Sequence, residues 1–279
     1  MRVLEALKAG SKLLREKNIS TYILDSELLL SKSLKKPREE ILINLEQSIN
    51  EKVLVDFNNY LLRRSKKEPI AYLLGEKEFW SRKFFVNKNT LIPRPETELL
   101  VDKLVTIFKK KRMTILDIGT GTGCIIISLL IELKNSTGMA VDISRDAISV
   151  ARKNANKFNL SDRIKFLHKS YRELYVKKFD LIVSNPPYIK RNDIKNLSDD
   201  IKKFEPKMAL DGGNDGLDLI KKIIYKSKKI LKTNGTIALE IGNKQISKVS
   251  KILIDNKFRI SCVIKDYRNN VRCVIAKYK

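Results

Sequence analysis

The sequence predicts an α/β protein: a mostly parallel sheet with one reversed strand, preceded by a small all-helical module. Three observations carry this. From residue 113 onward, short β-rich apolar runs alternate with helical patterns, the rhythm of βαβ units. The last two runs, "RISCVIKDY" (259–267) and "VRCVIAKYK" (271–279), are separated by "RNN", too short for a crossover, so they must pair antiparallel. Upstream, no Gly occurs between Gly10 and Gly75, and leucines recur near helical spacing.

Residues 1–75 therefore read as helices. Leu4, Leu7, Leu13 and Leu14 mark the first. A second opens at "DSELLLSKSL" with Asp25 as its N-cap, and another runs from Asn50. Residues 76–92 change character. "EKEFWSRKFFVNKNTLI" is aromatic and β-rich with a polar break at Ser81-Arg82, which predicts a β-hairpin linker. "IPRPETE" follows, where two prolines exclude helix. A helix then begins at "ETELLVDKLVTIFKK" with acidic residues in its first turn. The third region, 93–279, holds strands at 113–119, 138–143, 163–168, 179–185 and 235–242 before the closing pair, with helical patterns between the first five.

Composition narrows the chemistry. At 43% hydrophobic residues the chain can bury a substantial core. No apolar leader opens it, and "CIIISLLIEL" is too short to span a bilayer, so a soluble cytoplasmic protein without membrane contact is expected. The cysteines (Cys124, Cys262, Cys273) form no C-x-x-C pair and His168 is the single histidine, so no metal site is expected. His168 reads as an ordinary strand-end residue. The net charge of +25 raises direct nucleic-acid binding. It is not favoured, because Lys outnumbers Arg more than two to one and the lysines spread along the whole chain.

Two motifs carry chemistry. "ILDIGTGTGCIII" is a strand, a glycine loop and a helix. Gly119, Gly121 and Gly123, with Thr120 and Thr122 between them, let the backbone turn sharply and approach a ligand. Asp142 ends the next strand, 23 positions after Gly119, the place for an acid that accepts hydrogen bonds from ribose hydroxyls. The dinucleotide fingerprint G-x-G-x-x-G/A fits neither register. The pattern D-x-G-x-G-x-G, starting at Asp117, resembles motif I of the Rossmann-like class I S-adenosyl-L-methionine-dependent methyltransferases. The terminal antiparallel hairpin is also typical of that class.

The second motif is Asn185-Pro186-Pro187-Tyr188, at the end of the strand 179–185. It resembles the N-P-P-Y signature of methyltransferases acting on nitrogen bonded to an sp² carbon, such as the amine of adenine or cytosine or the amide of glutamine. Such a nitrogen is a poor nucleophile, because its lone pair is delocalised. Acceptors for both of its N–H hydrogens return electron density to it. The Asn185 side-chain oxygen is one acceptor and the Pro186 carbonyl the other, made rigid by Pro187, with Tyr188 offering a flat face. Positioning of this kind contributes about 7–11 kcal/mol.

Discrimination between base and glutamine comes from the rest of the chain. "DSELLL", "RRSKKEPIAYLLGEKEFW", "LIPRPETE", "DIGTGTGCI", "SNPPYI", "FEPKMALDGGNDGL" and "DYRNNVR" together resemble the release-factor glutamine methyltransferases, the HemK/PrmC family. The resemblance covers nearly the full length. It implies a helical substrate-docking domain (1–75), a hairpin linker (76–92) and a methyltransferase domain (93–279). It implies N5-methylation of the glutamine in the Gly-Gly-Gln motif of class-1 peptide chain release factors, with S-adenosyl-L-homocysteine as product. A monomer is expected. By position, Gly119, Thr120, Gly121, Thr122, Gly123, Asp142, Tyr171 and Asn185 would meet the cofactor, and Asn185, Pro186, Pro187 and Tyr188 the substrate amide. Relatives commonly carry an acid where this chain has Ser170. "LIPRPETE" is expected to form part of the active-site wall. The alternative is an N6-adenine methyltransferase acting on DNA or RNA, and a third reading is a non-enzymatic basic adaptor.

Overall fold

The computed structural model describes residues 1–175 and 178–279. Its contacts divide the chain into two compact units, residues 1–76 with 198–204, and residues 77–197 with 205–279.

The first unit is helical: α1 (Val3–Glu16), α2 (Tyr22–Leu34), α3 (Arg38–Ile43), α4 (Glu51–Ser65) and α5 (Ile70–Leu74). Leu7, Leu14, Leu29, Leu30, Phe57 and Leu61 meet in its core. Asn50 caps α4 by accepting the Val53 N–H. Asp25 departs from its expected role. Helix α2 begins just over a turn earlier, after Thr21, so Asp25 lies inside it. Its carboxylate is buried and accepts from Arg64 Nε of α4 at 2.7 Å, an ion pair across the core that the sequence did not disclose.

The second unit opens with the hairpin β1 (Glu76–Phe79) and β2 (Arg82–Phe85). Its turn falls on Trp80 and Ser81, at φ 53° and 55°, one residue earlier than the polar break suggested. Two residues of positive φ match the twist of the flanking strands. Phe79 and Phe84 enter the core of this unit. Helix α6 (Pro95–Phe108) starts on Pro95 itself, at the first helical position where a missing N–H costs nothing.

There follow β3 (Thr114–Ile118), α7 (Cys124–Glu132), β4 (Thr137–Asp142), α8 (Arg145–Lys157), β5 (Ile164–His168) and β6 (Phe179–Ser184). Then come α9 (Asp199–Phe204, grouped with the first unit), α10 (Asp218–Ile230), β7 (Leu231–Glu240), α11 (Ile246–Asp255), β8 (Phe258–Lys265) and β9 (Val271–Tyr278). Between β5 and β6 the expected helical pattern is, among the described residues, one 3₁₀ turn over Tyr171–Glu173; residues 176 and 177 lie outside them. The connection is too short for a longer helix with its turns.

The sheet order is β5-β4-β3-β6-β7-β9-β8. All pairs are parallel except those made by β9, which runs against both β7 and β8. The reversed strand is thus inserted inside the sheet rather than added at its edge. Side chains alternate faces, as a pleated strand requires. Ile115, Leu181, Val183 and Cys273 pack with α6, α7 and α8, whereas Leu116, Ile182 and Val274 pack with α10 and α11.

Candidate active site

Strand β3 continues toward β4 and β5 on one side, and β6 toward β7 on the other. The chain order reverses between β3 and β6, and open α/β sheets bind ligands at the carboxyl ends of such a pair. Both motifs lie there. A cleft with about 1170 Å³ of empty space, open solvent at its mouth included, is lined by Gly119–Thr122 after β3 and Asn185–Pro187 after β6. Asp142, Tyr171, and Leu91, Pro93, Arg94 and Thr97 of the proline-rich segment join them.

The glycine loop is held from below. Gly119 and Thr120 donate their N–H groups to Val141 O. Thr120 Oγ1 donates to Asp117 Oδ2 at 2.8 Å, and burial pushes the Asp117 carboxyl up to about 7. Gly119 and Gly121 have φ of +71° and +54°, which L side chains rarely adopt, and a Cβ on either would project into open space. The loop backbone is therefore bare toward the cleft. Asn154 of α8 ties it to the hairpin: its Nδ2 donates to Thr122 O at 2.9 Å and to Phe85 O at 3.0 Å.

Asp142 accepts from Gly121 N at 3.0 Å and Ser144 N at 2.9 Å. With the Ile143 N–H also turned toward it, the carboxylate keeps acceptor capacity for a further donor. Burial raises its pKa, against the opposing pull of the Ser144, Gly121 and Ile143 N–H groups. Tyr171 is buried beside it and its hydroxyl has no protein partner. A bare backbone loop, a free-edged carboxylate and a buried aromatic ring fit an adenosyl group carrying an amino-acid tail. Ser170 is not among the lining residues. It caps the 3₁₀ turn, its Oγ accepting the Arg172 N–H.

Asn185 and Pro186 follow β6 directly. Ser184 Oγ donates to Ile118 O at 2.7 Å, locking the ends of β6 and β3 together. Asn185 Nδ2 donates to Thr97 Oγ1 at 3.3 Å, and Thr97 Oγ1 donates to Glu240 Oε2 at 2.5 Å. Neither Tyr188 nor Gly123 is among the residues that line the cleft. The Tyr188 ring packs on the α10–α11 side of the sheet and its hydroxyl donates to Glu240 Oε1 at 3.3 Å. Gln245 pins its backbone, with Nε2 donating to Tyr188 O at 3.0 Å and to Gly216 O at 3.2 Å. Gly123 instead lies where α7 meets Ala151 of α8.

Several supports were missed in the sequence. Glu205 is buried and accepts from Ile92 N and Arg94 Nη2, joining "FEPKMAL" to "IPRPETE". Ile189 and Asp211 form a parallel bridge, so "LDGG" runs beside the N-P-P-Y stretch. An acid inside the apolar run "IALEIG" was the one available sign of Glu240. Among the described residues, no group of three His, Cys, Asp or Glu could hold a metal ion, and no helix is long and apolar enough to cross a membrane.

The glycine loop, the strand-end acid and the reversed strand define a class I methyltransferase fold. The solved hMettl16 catalytic domain, in complex with the MAT2A 3′UTR hairpin 6, has this fold too: TM-score 0.60 at 18% identity, over 79% of this chain and 82% of that one. The family model for the PrmC N-terminal domain matches residues 5–75, and that for the methyltransferase small domain matches residues 95–203. A release factor glutamine methyltransferase of Clostridium acetobutylicum is 39% identical over 99% of this chain and 98% of its own length. The chain belongs to the release factor glutamine methyltransferase family. It is also 41% identical, over 97% of its length, to a bifunctional methyltransferase of Rickettsia felis, of which it spans 57%.

Proposed function

We propose that this protein methylates the side-chain amide nitrogen (N5) of the glutamine in the Gly-Gly-Gln motif of class-1 peptide chain release factors. S-adenosyl-L-methionine would be the methyl donor and S-adenosyl-L-homocysteine the product. The observation that carries this reading is the shared cleft at the β3–β6 switch point, lined by the bare glycine loop on one side and by Asn185 and Pro186 on the other. Family membership, with relatives named for glutamine methylation of release factors, supports the choice of substrate.

In this reading Gly119–Thr122 hold the amino-acid tail of the cofactor, Asp142 the ribose hydroxyls and Tyr171 the adenine side. The cofactor supplies, when bound, a methyl group on a positively charged sulfur. The remaining work falls to the chain. Asn185 Oδ1 and the Pro186 carbonyl accept the two N–H hydrogens of the glutamine amide. That holds the nitrogen in one orientation and keeps its lone pair available. Pro187 fixes the Pro186 carbonyl, and Tyr188, anchored to Glu240, fixes the stretch from behind. No general base is needed before transfer, since the proton becomes acidic only as the nitrogen acquires its new bond. Preorganised partners of this kind contribute about 3 kcal/mol each.

Residues 1–75 then act as the release-factor docking domain, 76–92 as the linker and 93–279 as the catalytic domain. The protein works as a cytoplasmic monomer.

The test supplies labelled S-adenosylmethionine with an intact release factor, the same factor carrying Gln→Asn in its Gly-Gly-Gln motif, or duplex DNA. Label is expected in the intact factor alone. Label in DNA and none in the factor would overturn the reading in favour of a base substrate. Asn185→Ala is expected to lower transfer about a hundredfold or more, with cofactor binding retained.

A further inference from the structure

Thr97, Asn185 and Glu240 form one hydrogen-bonded row built from three elements: the first turn of α6, the residue after β6 and the last residue of β7. Thr97 and Glu240 are each 2% exposed, so water does not compete for their hydrogen bonds. Above about pH 7 Glu240 is ionised, and a carboxylate has no hydrogen to give, so Thr97 donates in the 2.5 Å contact. A hydroxyl has only one hydrogen. Once it is given to Glu240, the Thr97 oxygen can only accept. The Asn185 group that meets it must then be the amide N–H, and the amide oxygen is the end left for the cleft.

The direction of this row matters because an Asn amide is nearly symmetric in shape. Its oxygen and nitrogen ends fill almost the same volume, so packing alone does not choose between them. Reversal would present N–H groups to a substrate that itself brings N–H groups, donor against donor. The other Glu240 oxygen is occupied by the Tyr188 hydroxyl, which ties the row back to the N-P-P-Y stretch.

We infer that Thr97 and Glu240 are positioning residues which set the orientation of the Asn185 amide and so keep its oxygen toward the substrate nitrogen. This rests on the reading of Asn185 as the acceptor of a substrate N–H. The threonine of "IPRPETE" thereby acquires a role beyond forming a wall, and the acid buried in β7 acquires a reason to be there.

The test compares three variants of the full chain at pH 8, where Glu240 is ionised, with release factor as acceptor. Thr97→Val keeps the shape and loses the hydroxyl, Thr97→Ser keeps the hydroxyl, and Thr97→Ala loses both. Val and Ala are expected to lower kcat about tenfold or more while leaving cofactor affinity by calorimetry, and KM for the factor, within about threefold. Ser is expected to stay within about threefold of wild type in kcat. A packing role reverses the order, with Val close to wild type and Ser impaired, and that result overturns the proposal. If the Val variant does not fold, Ser against Ala decides, and equal rates overturn it. Asn185→Ala is run alongside. If it retains the wild-type rate, the reading of Asn185 itself has failed; if it is inactive while Thr97→Ala matches wild type, only the positioning role has failed. Should wild type label duplex DNA instead, the same series is read on DNA.

Discussion

Arg94 and Glu205, 111 residues apart in sequence, form a 2.6 Å ion pair whose carboxylate is almost wholly buried. The same carboxylate accepts the Ile92 N–H. One side chain thus fastens the proline-rich segment to the segment that follows α9, and Pro93, Arg94, Pro206 and Met208 all line the cleft. Arg94→Ala takes the guanidinium from a buried carboxylate. It is expected to cost about 1–3 kcal/mol, less than a fully buried pair because Arg94 is partly exposed. Urea unfolding measures this cost, and the same variant should weaken cofactor binding by calorimetry.

Gly216 stands where only glycine fits. Its φ is +76°, and a Cβ there would lie 2.4 Å from Tyr188 O and 2.7 Å from Gln245 Nε2. Gly216→Ala must therefore move the backbone of the N-P-P-Y stretch or break the Gln245 hydrogen bonds. The expected result is a loss of about 1–3 kcal/mol in stability and, on the proposed function, a fall in kcat of about a hundredfold from displacing Asn185 and Pro186. Thermal unfolding and steady-state kinetics on one preparation check both, and an unchanged kcat would contradict the coupling.

Glu240 makes stability depend on pH in a direction that can be worked out. Burial raises its carboxyl from 4.5 to about 7, opposed by hydrogen bonds from Thr97 and Tyr188 and by Arg272 of β9, and reinforced by Glu96 of α6. The thiols of Cys124 and Cys273 also feel its charge. Between about 4.5 and 7 the folded chain retains a proton that the unfolded chain has lost. Its contribution is full below pH 4.5 and is lost as pH rises through about 7. Glu240→Gln has no such titration. Relative to this variant, wild type should lose on the order of 3 kcal/mol between pH 4.5 and 8. Asp117, raised in the same way, is present in both proteins and cancels. Urea unfolding of the two proteins at pH 5 and pH 8 measures the difference.

Ser170 caps the turn that carries Tyr171. Aspartate is an equally good N-cap, so Ser170→Asp preserves that turn while adding a stronger acceptor next to Tyr171, where the proposed function puts the adenine. Calorimetry is expected to show tighter cofactor binding; unchanged or weaker affinity would refute it.

In the helical unit, Arg64→Ala removes the partner of Asp25, whose side chain is only 3% exposed. The expected cost is about 3–5 kcal/mol. Adding Asp25→Ala should recover part of it, because no charge is then left buried, and a double-mutant cycle by urea unfolding reads the coupling.

Legibility followed distance along the chain. The strands were readable because β3 and β6 are short apolar runs, and the Asn50 cap because its acceptor is three residues away. Asp25 misled because it has the residue type of a cap in a place where its partner lies 39 residues downstream. The hairpin was placed one residue late because Trp80 is an unusual residue at positive φ, and only the paired strands force it there. What holds Tyr188 was not legible: its ring packs on the α10–α11 side and its hydroxyl finds Glu240, 52 residues away.

By itself, the sequence determined what depends on neighbours in the chain: the glycine loop, the proline-stiffened Asn185-Pro186-Pro187 stretch and the alternation of strand and helix. Each follows from φ/ψ limits or from a repeat within a few residues. Only the tertiary structure decided which strands lie side by side, and so that the two motifs share one cleft. It alone decided that Thr97, 143 residues from Glu240, stands between that acid and Asn185. A buried polar group must find its partner in space, and nothing local in the chain says where that partner is.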